Sequence, residues 1–164
     1  MDFFYPNFIN DMWRVFGSIY FNDKDHFFDK INKTIDKEGI MKMLSEHKIG
    51  IGETATEVIR TKDNASDKFL EIVTPVDLPA LLSKAPSCEA IVTTGEKAAS
   101  VIAGLTHTDL PKIGQWADCE VKMPDSSIRK FQHWRMPSTS RAYPMKLETK
   151  TLYYRDLLLA LKLL

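Results

Sequence analysis

Ser138, Thr139 and Ser140 stand in a row between Pro137 and Arg141, inside the stretch "RMPSTSRAYP" that runs from Arg135 to Pro144. Hydroxyls, backbone N–H groups and a guanidinium placed this close together can grip phosphate oxygens. The same residue types also build an ordinary turn, because Ser, Pro and Thr punctuate chains of every kind. From Val121 to Lys150 the chain carries Lys122, Arg129, Lys130, Arg135, Arg141, Lys146 and Lys150 against Asp125 and Glu148. The hydroxyl row therefore lies in the most basic part of the sequence, although a solvated strand-and-loop face gives the same count.

Other reactive constellations are missing. His26, His47, His107 and His133 lie in no nucleophile-elbow context, and Cys88 follows Pro-Ser in a loop, so no hydrolase triad is expected. Cys88 and Cys119 alone make no metal framework, and neither H-x-x-H nor C-x-x-C occurs, so no metal is expected. "GIGETATE" has neither the dinucleotide glycine pattern nor the lysine of a phosphate-binding P-loop. No cofactor is called for.

The elements that must position the hydroxyl row read as α/β. Ile9, Met12, Trp13 and Phe16 repeat at helical spacing, and Asn10 and Asp11 lie where short polar side chains cap a helix start. "GIMKMLSEH" reads as a short helix, and "KIGIGETATEVI" as a short buried strand running into a loop, "RTKDNASDKF". Asp77 caps a helix with Pro79 in its first turn. Ala90 to Val92 form a buried strand, Thr93 to Gly95 a tight turn, and Glu96 to Ala103 a helix stopped by Gly104, which is half of a βαβ unit. A hairpin turns at "PDSS", and its second arm leads into the hydroxyl row. A C-terminal helix has Leu152, Leu159 and Leu163 among its apolar positions. In open parallel sheets ligands bind beyond the carboxyl ends of strands, so "GETATEV", "TTGEK" and "MPSTSR", each following a strand, can line one crevice.

The 164 residues fit one domain, 1–164, and no apolar run approaches the roughly 20 residues that cross a bilayer. The start, "MDFFYPNFIND", has neither the basic nor the apolar region of a secretory signal, which points to a cytoplasmic protein with reduced thiols. A net charge of zero argues against non-specific coating of nucleic acid.

Taken together, "FYPNFINDMW", "RTKDNASD", "TTGEKAA" and "MPSTS" resemble, in order along nearly the whole chain, the motifs of the uracil-DNA glycosylase superfamily. The mismatch-specific and hypoxanthine-type branches are the most similar, with their N-x-[FM]-W and P-S-[ST]-S elements. The resemblance implies a three-layer α/β/α sandwich with a short, mostly parallel central sheet. It implies an enzyme of base-excision repair that acts on double-stranded DNA, flips out a deaminated base such as uracil or hypoxanthine, and cuts its N-glycosidic bond without a metal. Tyr5 falls where an aromatic stacks on the base; the plain alternative is a core aromatic. Asn10 falls on the Asn that orients water or binds the base; the plain alternative is a helix cap. Ser66 and Asp67 fall on a pocket-lining loop, or cap the next element. Ser138, Thr139 and Ser140 would hold phosphates, and Arg141 lies near the residue that fills the gap left by the flipped base, or makes a surface salt bridge.

Two departures stand out. The family's opening strand and G-x-x-P-like loop would precede the aromatic stretch, yet Met1 stands almost directly before "FFYPNF". We therefore expect a functional protein longer than this chain, monomeric when the family fold is complete, with a dimer as the alternative for the short chain. Met136 stands where several branches have His or Asn, so one stabiliser of the departing anion is missing. The alternative function is a glycosylase-like protein without catalysis that binds nucleic acid or a small phosphorylated ligand.

Overall fold

The computed structural model describes residues 3–60 and 70–164. In chain order the elements are α1 (Met12–Phe21), β1 (Phe28–Asp29), β2 (Thr34–Ile35), α2 (Lys37–Glu46), β3 (Ala55–Arg60), β4 (Leu70–Pro75), α3 (Leu78–Ser83), β5 (Ala90–Thr94), α4 (Glu96–Thr106), β6 (Trp116–Lys122), β7 (Ile128–Met136) and α5 (Leu147–Ala160). Helices and strands are mixed, as the sequence leads one to expect. They fall into two compact units, Met1–Gly52 with Ser138–Leu164, and Glu53–Pro137.

In the first unit the helical spacing of Met12, Trp13 and Phe16 becomes a buried stripe, while Ile9 stays exposed. Asn22 takes the left-handed conformation that ends α1. Gly17 permits the return of the chain, since a Cβ there would meet the Asp23 carbonyl oxygen at 2.5 Å. Phe27 then enters the core, and β1 and β2 form a short antiparallel hairpin pairing Phe28 with Ile35 and Asp29 with Thr34. Asp36 caps α2 by accepting from Gly39 N–H at 2.9 Å. Ile40, Met43 and Leu44 of α2 and Leu158 of α5 complete the core around Trp13. Of the leucines named from the sequence, Leu152 and Leu159 are exposed and Leu163, past the end of α5, packs half-buried against the core, while Lys150, Tyr154, Leu157 and Leu158 form the buried face of the helix. Leucines occur all round this helix, so spacing alone does not single out the inward face.

In the second unit β3 and β4 pair antiparallel, from Ala55 opposite Pro75 to Arg60 opposite Leu70. The sequence reading missed β4. Asp77 caps α3 by accepting from Ala80 N–H at 3.0 Å, with Pro79 in the first turn as expected. A three-stranded sheet has the order β5-β7-β6, with β5 parallel and β6 antiparallel to β7. The hairpin at "PDSS" is present, with Ser126 at φ 69° and Asp125 accepting from Ser127 N–H at 2.9 Å. Leu78 and Leu82 of α3, Ile102 of α4, Cys119 of β6 and Phe131 of β7 form the core. α4 does not stop at Gly104. It runs to Thr106 and ends at His107, φ 53°. Gly104 has open space around it and costs α4 only propensity, so the chain turns where His107 adopts the left-handed conformation. Cys88 and Cys119 are free thiols. Among the described residues no helix is long and apolar enough to cross a membrane.

Candidate functional site

Asn10 ends the aromatic N-terminal segment and turns the chain into α1. Its Oδ1 accepts from Met12 N–H at 2.9 Å, so the side chain does cap the helix. Its Nδ2 donates to no partner among the described residues, and the residue is part-exposed. Asp11, next in sequence, points its carboxylate elsewhere. Its backbone N–H donates to the Thr139 carbonyl at 2.9 Å. Oδ1 accepts from Arg141 Nε at 3.1 Å, and Oδ2 from Lys150 Nζ at 3.0 Å. Lys150 also donates to the Ser140 carbonyl at 2.9 Å and is fully buried. The N-terminal aromatic element and the hydroxyl row, over a hundred residues apart in sequence, are thus joined through one carboxylate and one ammonium.

The hydroxyl row is stiff. Ser138 Oγ accepts from Ser140 N–H and Ser140 Oγ from Ala142 N–H, both at 3.2 Å, so each serine folds its own loop. Thr139 is buried. The Arg141 side chain is 49% exposed, and its terminal nitrogens meet no partner among the described residues. The guanidinium therefore remains available to an anion while Nε is fixed by Asp11.

Arg14 adds a third cation. It donates to the Phe8 and Asn10 carbonyls at 2.7 and 3.1 Å, and its guanidinium lies 3.9 Å from the Phe28 ring centroid. Burial, and then the neighbouring charge of Arg141, hold it below the ordinary arginine value. Arg14, Arg141 and Lys150 face two carboxylates, Asp11 and Asp25, so the cluster keeps an excess of positive charge.

Tyr5 sits at φ 48° in the left-handed region, which a bulky side chain rarely adopts. Its carbonyl accepts from Trp13 Nε1 at 3.2 Å, and its ring stands edge-on to Trp13 at 6.1 Å. Burial, and then Tyr5, raise the Tyr154 hydroxyl well above its ordinary value. Tyr5 is thus engaged in an aromatic cluster. Ser66 and Asp67 lie outside the described residues.

Asp11, Arg14 and Lys150 were not singled out from the sequence. Asp11 sits inside "NDMW" and reads as a second capping residue; Lys150 reads as one basic residue among several. No group of His, Cys, Asp and Glu suited to a metal occurs among the described residues. Comparison with protein-family models, with curated proteins and with solved structures finds no match to the chain.

Proposed function

We propose that the chain is a DNA base-excision glycosylase of the uracil-DNA glycosylase type, built on a three-layer α/β/α fold. The observation that carries the reading is the joining of its two most telling motifs: "NDMW" is held against "STSR" by the Asp11 N–H and carboxylate. The packing of α1 on α5 brings the two stretches together, and the carboxylate of Asp11 joins them as a shared site requires.

In this reading Arg141 takes backbone phosphate through its terminal nitrogens, and the unengaged Asn10 Nδ2 faces the extruded base or a water. The bond from the base nitrogen to C1′ breaks, the base leaves with the electron pair, and water supplies hydroxide to C1′ and the proton that the base finally carries. Donors aimed at the developing anion supply most of the acceleration in such a step. A second reading, DNA binding without excision, is favoured by Met136, which is buried and offers no hydrogen bond to a departing anion from its side chain.

Duplex oligonucleotides carrying uracil or hypoxanthine, treated with alkali after incubation, report excision as strand breaks. Breaks at one of these bases support the enzyme. Binding without breaks selects the second reading, and neither outcome in any duplex sinks both.

A further inference from the structure

We propose that Asp11 is a positioning residue for an anion-binding site whose anion-facing group is Arg141, with buried Lys150 supplying the charge that lets Asp11 hold Arg141 without neutralising it. The inference rests on the reading above in taking the anion to be a backbone phosphodiester. The two carboxylate oxygens are divided: one accepts from Arg141 Nε at 3.1 Å, the other from Lys150 Nζ at 3.0 Å. One negative charge thus serves two positive ones, and the trio remains cationic. The geometry matters as much as the sum. Only Nε of Arg141 is used, which leaves the two terminal nitrogens, the pair that meets phosphate end-on, unengaged by Asp11. Lys150 is fully buried and Asp11 nearly so. An ammonium in that position stays only when its partners are fixed, and one of those partners is the Ser140 carbonyl in the loop itself at 2.9 Å. The loop and the guanidinium are therefore held in place before any ligand arrives, which lowers the ordering cost of binding.

The test turns on a sign. If Asp11 merely neutralised Arg141, then Asp11→Asn, which removes a negative charge beside the site, would tighten anion binding. If Asp11 positions Arg141, the same change loosens it, by about tenfold for one lost charge-assisted hydrogen bond. Arg141→Lys keeps the charge but loses the planar fork, and at a half-exposed position it leaves the fold intact. It should weaken binding by a similar factor, and the double variant should be little worse than either single one. Two probes are read. A labelled undamaged duplex gives affinity, and inorganic phosphate is titrated against the Arg141 Nε–H resonance of the whole chain. We expect slow solvent exchange of that N–H and a phosphate-dependent shift in the wild type, both lost in Asp11→Asn. Tighter binding by Asp11→Asn, or no phosphate shift in the wild type, overturns the inference. Should Asp11→Asn not fold, Arg141→Lys and the wild-type resonance still decide it. A wild-type chain that shifts with phosphate but ignores duplex DNA removes the proposed function and leaves the positioning role standing.

Discussion

His133 shows what a single residue commits the fold to. It is fully buried on β7, with Nε2 2.9 Å from Thr93 Oγ1 and Nδ1 without a partner among the described residues. Burial pushes its pKa down to about 4 from the ordinary 6.5. The folded chain keeps His133 neutral through that range while the unfolded chain takes up a proton near 6.5, so the unfolded state binds more protons between the two values. This contribution to stability is complete above about 6.5 and declines as pH falls toward 4. The loss is about 3 kcal/mol at most. Urea melts at pH 7 and pH 5 should show it, and His133→Gln should flatten the difference between them; an equal slope in the variant assigns the acid sensitivity to other groups. Asn10 makes a different prediction at this scale. Asn10→Asp keeps an oxygen for Met12 N–H, and Asp caps as well as Asn. It removes the amide donor, and an ionised carboxylate donates nothing. Melting should hardly move, and on the proposed function excision should fall about a hundredfold, the scale set by losing one donor to a developing anion. Equal excision by both forms makes Asn10 a cap and nothing more. Asn10 and Arg141 could be found in the sequence because the local motifs that contain them carry the signal. Lys150 could not, because its burial depends on a carboxylate 139 positions away.

At the scale of elements, the hairpin of β1 and β2 has only two residues in each strand. A period of two cannot be read from so little. The hairpin's order comes from Asp29. Oδ1 accepts from Ile31 N–H at 2.9 Å and Asn32 N–H at 3.0 Å, and Oδ2 from Asn32 Nδ2 at 2.7 Å. The Asn32 backbone and side-chain donors hold the Asp29 carboxyl below its usual range. Asp29→Ala should therefore speed amide exchange at Ile31 and Asn32 severalfold without altering α1, since a local opening costs less than global unfolding. Unchanged exchange would place the tip's order in the paired strands instead. By contrast the succession of β5 and α4 was legible, because a continuous apolar run followed by a helical pattern leaves few alternatives. The turn between them was not: Thr93 and Thr94 still pair with Arg135 and Met136 within β5, leaving Gly95 alone before α4, and Val92 is exposed. Nor was β4: six residues between a turn-rich stretch and an Asp-capped helix are too few to outweigh their neighbours.

At the scale of the whole chain, its first and last helices share one unit. The first unit takes its core from α1 and α2 at the beginning of the chain and from α5 at the end. Tyr20 adds a tie across 143 positions, its hydroxyl donating to the Leu163 carbonyl at 2.8 Å, and burial pushes that hydroxyl up to about 12. Among the described residues, the core of the second unit comes from α3, α4, β6 and β7. Closing a unit with chain ends so far apart forms its contacts late and makes each end indispensable. Removing 147–164 should strip Trp13 and Phe16 of Leu158, leave Asp11 without Lys150, and cost the first unit as much as a domain's usual stability of about 5–15 kcal/mol. Loss of the lysine that partners a buried carboxylate and of Leu157 and Leu158, each worth about 2–5 kcal/mol, reaches that range. Hydrogen exchange on the truncated chain should show protection lost in α1 and α2 and kept in α4, β5 and β7. The milder Leu158→Ala should lower the stability of the first unit by about 2–5 kcal/mol and leave exchange in β5 and β7 untouched. Protection that persists in α1 after truncation would mean that the N-terminal helices hold together without α5, and the carboxylate of Asp11 would then need another reason to lie where Lys150 meets it.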